Sequence, residues 1–299
     1  MKIRIASAQY PISFFESIDN WKKHVKSWIS EAVIQQSEIL LFPEYGSMEL
    51  VSLFETDIQQ NIQRQVEKLQ TLLPSFIETF EKLAIEYQII IIAPSFPVAE
   101  NGKIYNRSFV FSKNGMIGFQ DKFFMTRFEN EIWGIDSGKK NLALFKTENF
   151  TFGIQICYDI EFTIGSQKLN QAGADFILVP SCTETIRGAS RVHIGSRARA
   201  MENQCYTIVS QTIGNAEWSP AVDINYGFAA IYSSPDENLP EEGIVAQGKS
   251  NEIRWLIDEI DLAKNAHIRK KGQVFNFKDH SKMALELKNE SIEIKLYQF

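Results

Sequence analysis

Phe150-Thr151-Phe152-Gly153-Ile154-Gln155-Ile156-Cys157-Tyr158-Asp159-Ile160-Glu161-Phe162 reads as a β-branched, largely apolar strand that stops at a thiol followed by two carboxylates. A short run of this kind, bounded by polar residues, is the pattern of a strand buried inside a layered sheet. Two other stretches have the same form. Ile39-Leu40-Leu41-Phe42 is closed by Pro43 and delivers Glu44, and residues 116–120 lead through Asp121 to Lys122. In layered α/β proteins reactive groups gather where strands stop and loops begin, so a carboxylate, an ammonium and a thiol at three strand ends are candidates for one site. Taken singly, each also fits a plainer role: a loop carboxylate, a snorkelling lysine, a buried thiol.

Outward from these strands, short β-branched runs alternate with helical periods. Residues 3–9 alternate as a strand should, and residues 17–35 place Ile18, Trp21, Val25, Trp28, Ile29 and Val33 at helical spacing, with Asp19 as the candidate N-cap. Residues 59–87 are helical in period, divided in two by Pro74, and residues 89–93 form the next buried strand. Lys113-Asn114-Gly115 is a hairpin-turn signal between strands at 105–112 and 116–121. Beyond Cys157 the pattern gives a short helix at 165–172, a strand at 176–179, a helix at 191–204 and a strand at 205–210. Three more strands follow, at 227–232, 243–246 and 252–260. No composition break divides the chain, so residues 1–272 are expected to form one α/β domain. Residues 273–299 form a polar C-terminal extension whose alternating end, 292–297, suits a closing strand or an arm reaching across a dimer.

Composition narrows the function. Thirty-one Lys+Arg against 37 Asp+Glu leave a formal charge of −6, which argues against a nucleic-acid partner, whose phosphates demand a basic face. No apolar run approaches the ~20 residues of a membrane helix, and Met1-Lys2-Ile3-Arg4-Ile5-Ala6 lacks the apolar core of a signal peptide. The three cysteines, Cys157, Cys182 and Cys205, cannot all pair, so the expectation is a cytoplasmic protein with reduced thiols and no membrane partner. His24, His193, His267 and His280 form no His-x-x-x-His pair and sit in no cysteine-protease motif; the cysteines form no Cys-x-x-Cys. With phosphate-loop and dinucleotide fingerprints also missing, neither a metal nor a cofactor is expected.

The words around the three strand ends, Phe42-Pro43-Glu44-Tyr45, Asp121-Lys122-Phe123-Phe124 and Ile156 to Phe162, occur in the order found in the nitrilase, or carbon–nitrogen hydrolase, superfamily, which this sequence resembles. Gly173-Ala174-Asp175 leading to Val179-Pro180-Ser181, and Arg197-Ala198-Arg199-Ala200-Met201-Glu202-Asn203-Gln204, resemble two further family blocks, so the likeness runs from Met1 to about Gly272. The resemblance implies a four-layer α-β-β-α sandwich, a homodimer or higher homo-oligomer built on a helical face, and a catalytic glutamate, lysine and cysteine at Glu44, Lys122 and Cys157. Relatives carry a second glutamate seven residues before the glycine of a turn that here is Asp136-Ser137-Gly138, which selects Glu131 over Glu129; Ser137-Gly138 replaces the usual Pro-Gly. The Cys-Tyr-Asp word is closer to the amidase and carbamoylase branches than to true nitrilases.

These residue types suit one chemistry. A free thiol with a pKa near about 8.5 is only a few per cent thiolate at neutral pH and needs an adjacent base, which Glu44 would supply. Lys122, joined by the backbone N–H of Tyr158, would stabilise the oxyanion, and a thioester on Cys157 would then be hydrolysed. The expected activity is hydrolysis of a non-peptide C–N bond in a small amide or carbamoyl compound. An acyltransferase using the same thioester, or a silent binding protein on the same fold, is the alternative. For substrate contact the candidates are Tyr158 and Trp133 as walls, with Glu184 and His193 from the region around Thr183 to Arg187, which lines the pocket in relatives. Each has a plain counterpart: core aromatic, solvated loop carboxylate, polar residue at a helix start.

Overall fold

The computed structural model describes residues 1–138, 141–289 and 295–298. Its first half contains β1 (Lys2–Pro11), α1 (Ile18–Ile34), β2 (Ile39–Leu41), α2 (Thr56–Gln59), α3 (Ile62–Leu69), α4 (Leu73–Tyr87), β3 (Ile90–Ile92), β4 (Phe96–Glu100), β5 (Lys103–Ser112) and β6 (Gly115–Asp121). The second half contains β7 (Leu144–Lys146), β8 (Thr151–Ile154), α5 (Thr163–Gln171), β9 (Phe176–Ser181), α6 (Ile186–Asn203), β10 (Tyr206–Asn215), β11 (Ile224–Asn225), β12 (Ala230–Tyr232), β13 (Ile244–Gln247) and β14 (Arg254–Asp261). Helices α7 (Leu262–Lys271) and α8 (Asn276–Asn289) close it.

The strands run in the order β4-β5-β3-β2-β1-β10-β9-β8-β7 in one curled sheet, with β6 along β5 and β14 along β1. Parallel pairing of β1 with β10, Gln9 opposite Gln211, joins the halves. The alternation along β1 explains the layering. Ile3 and Ile5 enter a core shared with β8, β9 and β10, whereas Ala6, Ala8 and Tyr10 enter a second core under α1 and α4. Strand β2 divides likewise, with Ile39 and Leu41 on one side and Leu40 and Phe42 on the other. Strands covered on both faces lose the polar alternation of half-exposed ones, hence the continuous apolar runs. Leu169, Val192 and Ala200 carry the inner core outward to α5 and α6, which completes the α-β-β-α order.

Local chemistry sets the helix boundaries. Ser17, not Asp19, caps α1: its Oγ accepts the Asn20 N–H at 3.2 Å, while Asp19 lies in the first turn. Pro74 occupies the first turn of α4, where its missing N–H costs no hydrogen bond. Helix α6 begins five residues before its apolar period does, because Thr185 Oγ1 caps it from Gly188 N at 3.2 Å. The polar extension contains helix α8, which docks on the main body through Phe277 N to Gln204 Oε1 and Gln171 Nε2 to Ser281 Oγ. Half of the closing strand expected at 292–297 lies outside the described residues; Leu296 and Tyr297 are exposed and belong to no regular element. No helix among the described residues is long and apolar enough to cross a membrane.

Candidate active site

Three strand ends deliver three side chains to one buried point. Glu44 follows β2 across Pro43, and the next residue, Tyr45, turns the chain through a left-handed conformation (φ 54°) held by Ser95 Oγ, which accepts Tyr45 N–H at 2.9 Å. Lys122 follows β6, its own N–H bonded to the Asn106 carbonyl at 2.8 Å. Behind it sits Gly138: a Cβ there would lie 2.8 Å from both the Asp121 Cβ and the Lys122 carbonyl oxygen, so only glycine fits. Cys157 stands past β8 at φ 49°, a conformation unfavourable for a residue with a Cβ and typical of a site where geometry is imposed. The Asp159 carboxylate holds this elbow by accepting N–H bonds from Phe123, Phe124 and Ile156, which ties the segment after Lys122 to the residue before Cys157.

Lys122 Nζ donates to Glu44 Oε1 at 2.8 Å and to Glu129 Oε2 at 2.6 Å, all three side chains being buried. Glu131, the residue selected by counting back from Gly138, does not reach this cluster. It is exposed and pairs with Arg127 at 2.7 Å on the outside of a turn spanning Glu129–Trp133. That turn is wound with the wide π spacing, and its two glutamates fall on opposite sides, Glu129 inward and Glu131 outward. Glu129 is fixed further by Tyr45 Oη at 2.8 Å and by both the N–H and hydroxyl of Thr126 at 2.9 Å. The Cys157 thiol donates to the Cys182 carbonyl at 3.5 Å, and the Cys182 N–H donates to Glu44 Oε2 at 2.9 Å.

Burial dominates the electrostatics. It raises the Glu44 pKa above the ordinary carboxylate value, with the negative Glu129 adding to the rise and Lys122 opposing it. Burial alone would lower the Lys122 pKa, but Glu129 and Glu44 overcome it and hold the ammonium firmly charged. Glu129, buried too, is carried below the ordinary value by Lys122 and its donors. Burial, then the neighbouring Glu44 charge, pushes the Cys157 thiol well up. Burial thus holds the thiol neutral beside a carboxyl group whose own pKa is raised.

The cluster opens into a cavity of about 580 Å³ that takes in Tyr158, Trp133 and Glu184. Trp133 packs on Tyr45 with ring centroids 4.8 Å apart. Glu184 is exposed at the rim, its pKa raised by partial burial and by Asp223. His193 is not part of the wall. It lies buried behind it, stacked on Phe228, with Nε2 against Gln211 Oε1 and Nδ1 against Tyr232 Oη, both at 2.9 Å. Burial lowers its pKa to about 4 against the opposing pull of Gln211, so it stays neutral. Gln211 in turn donates to Thr183, which does line the cavity. Sequence reading passed over Asn106, an amide in mid-strand; Cys182, just past the end of β9, does line the cavity, and it contributes backbone groups that side-chain identity does not reveal.

The carbon-nitrogen hydrolase family model matches residues 4–269, and the chain belongs to that family, within the nitrilase superfamily. It is 33% identical to the probable hydrolase YhcX of Bacillus subtilis over 93% of its own length, though it spans only 53% of that relative. It is 27% identical to the omega-amidase NIT2 of Homo sapiens, over 95% of this chain and 98% of that one. Among solved structures, Nit3 of Saccharomyces cerevisiae superposes with a TM-score of 0.71 at 22% identity, covering 90% of this chain and 93% of that one; the likeness is one of fold.

Proposed function

We propose that the protein hydrolyses the C–N bond of a small amide or carbamoyl compound through a thioester on Cys157. The observation that carries this reading is the juxtaposition of a neutral thiol with a buried carboxylate and a buried ammonium on the floor of one cavity. As the Cys157 sulfur bonds to the carbonyl carbon, its proton passes to Glu44 and the carbonyl π pair becomes an oxyanion beside Lys122 Nζ. Collapse of the oxyanion breaks the C–N bond, and Glu44 returns the proton to the departing ammonia or amine. Water then attacks the thioester, again giving a proton to Glu44, and the thiolate leaves and is reprotonated. Glu129 holds Lys122 in place and takes the position of the second glutamate, which the family resemblance had assigned to Glu131. Trp133 and Tyr158 wall the substrate, and Glu184 at the rim meets its distal end.

We further propose that residues 1–272 form the catalytic unit, with 273–299 as an appendage, in a cytoplasmic homodimer. The amidase names of relatives that the chain covers end to end support amide chemistry over nitrile chemistry. Ammonia or amine release from a panel of small amides, ureas and nitriles tests the reading. Wild type turns over at least one amide or carbamoyl compound and Cys157→Ala turns over none; equal release by both proteins would exclude Cys157 as nucleophile.

A further inference from the structure

We propose that Asn106, with Glu44 as the base assigned above, is a positioning residue that fixes which Glu44 oxygen receives the Cys157 proton. Asn106 lies on β5, fully buried. Its Nδ2 donates to Glu44 Oε1 at 2.8 Å and to Glu129 Oε1 at 3.3 Å, so both amide hydrogens are spent on carboxylates. Its Oδ1 is buried with no partner among the described residues. The opposite amide orientation would aim that oxygen at two carboxylates, so the orphan is the consequence of a fixed direction.

Counting acceptor positions shows the effect. Glu44 Oε1 takes Lys122 Nζ and Asn106 Nδ2, which fills both of its in-plane positions. Glu129 is filled as well: Oε1 by Tyr45 and Asn106, Oε2 by Lys122 and Thr126. Glu44 Oε2 accepts one donor, the Cys182 N–H, and keeps one position open. It is the open position that the two acids retain, and it belongs to the carboxylate beside the thiol. Asn106 closes the alternative on Oε1, and it does so as a neutral donor in a cluster that already holds two carboxylates and one ammonium.

Substitution of Asn106 alters none of the charged or titratable groups that face Glu44, which are Lys122, Glu129, Tyr45, Cys157 and Cys182. Loss of the donor weakens the charged form of Glu44 and moves its titration upward. The test is the rate of Cys157 alkylation by iodoacetamide against pH, read at the Cys157 peptide by mass spectrometry so that Cys182 and Cys205 do not contribute. In the wild type the rate rises with ionisation of Glu44. In Asn106→Ala the midpoint moves up by about one pH unit, about a tenfold slower reaction on the acid side. In Asn106→Leu, which keeps the volume, stays neutral and removes both donors, it moves by a similar amount.

A role confined to stability would change unfolding midpoints and leave the alkylation profile where it is. Should the alanine variant fail to fold, the neutral Leu variant of similar size carries the comparison. Superimposable profiles for wild type and a folded Asn106 variant, with the rise still abolished by Glu44→Gln, overturn the role of Asn106 alone. An unaltered profile in Glu44→Gln removes Glu44 as the base, and the assignment of Asn106 with it.

Discussion

Two glutamates two residues apart have opposite environments here. Glu129 is buried against Lys122, while Glu131 makes a solvent-exposed pair with Arg127 of the kind worth about 0–1 kcal/mol. Glu129→Gln is therefore expected to lower kcat/KM for amide hydrolysis by roughly a hundredfold or more, in line with loss of a preorganised charge. Glu131→Ala should stay within about twofold; steady-state ammonia release distinguishes them. Lys122→Met leaves Glu44 and Glu129 buried without their cation, and urea denaturation should show a loss of about 3–5 kcal/mol. At this scale the sequence was legible wherever a reactive residue ended an apolar strand, as Glu44, Lys122 and Cys157 do. It was not legible at Glu129, because a spacing to Gly138 carried over from relatives does not tell which of the two glutamates the turn buries. Asn106 and the Cys182 amide carry no motif, and His193 looked like a pocket residue because it follows the Thr183–Arg187 segment in sequence, whereas it meets the cavity lining only through Gln211, which donates to Thr183.

Among the elements, the short segments between strands and helices do the positioning. The glycine at 138 backs the Lys122 carbonyl, so Gly138→Ala should displace that lysine and cut kcat/KM about tenfold, about 1.4 kcal/mol in barrier. The turn Gly46–Leu53, just after Glu44, is anchored by Glu49, whose Oε1 accepts from Tyr10 Oη at 2.8 Å and Trp21 Nε1 at 2.7 Å. Burial pushes the Glu49 pKa from 4.5 to about 8. Between those values the native state holds a proton that the unfolded chain has lost, so this group's contribution to stability is full below the lower value and falls as pH rises to the higher one. Glu49→Gln should remove that slope: urea midpoints at about pH 5 and about pH 8 should differ less in the variant than in the wild type. Boundaries of elements were the least readable feature. Thr185 and Ser17 start helices by capping, ahead of or instead of the residues that periodicity or charge picks out.

For the whole molecule, the curled sheet makes the two halves interdependent. All five tryptophans belong to or pack against the core under α1 and α4, including Trp255 from β14, which donates to the Trp28 carbonyl at 2.9 Å. Cys205 sits in the other core, fully buried. Because β1 contributes to both cores and pairs with β10, tryptophan fluorescence and Cys205 alkylation should report the same urea midpoint; separated midpoints would mean the layers unfold independently. Apolar runs made the doubly covered strands readable and pointed to one α/β domain, while the four-layer order followed from the family resemblance; the helical state of α8 was hidden by its polar composition. The most direct test of the central claim is to quench the enzyme with acid during turnover of an amide substrate and locate the acyl group by peptide mass spectrometry. The acyl mass is expected on the Cys157 peptide and absent from Cys157→Ala; turnover with no adduct on Cys157, or with the adduct on Cys182, would contradict the thioester route.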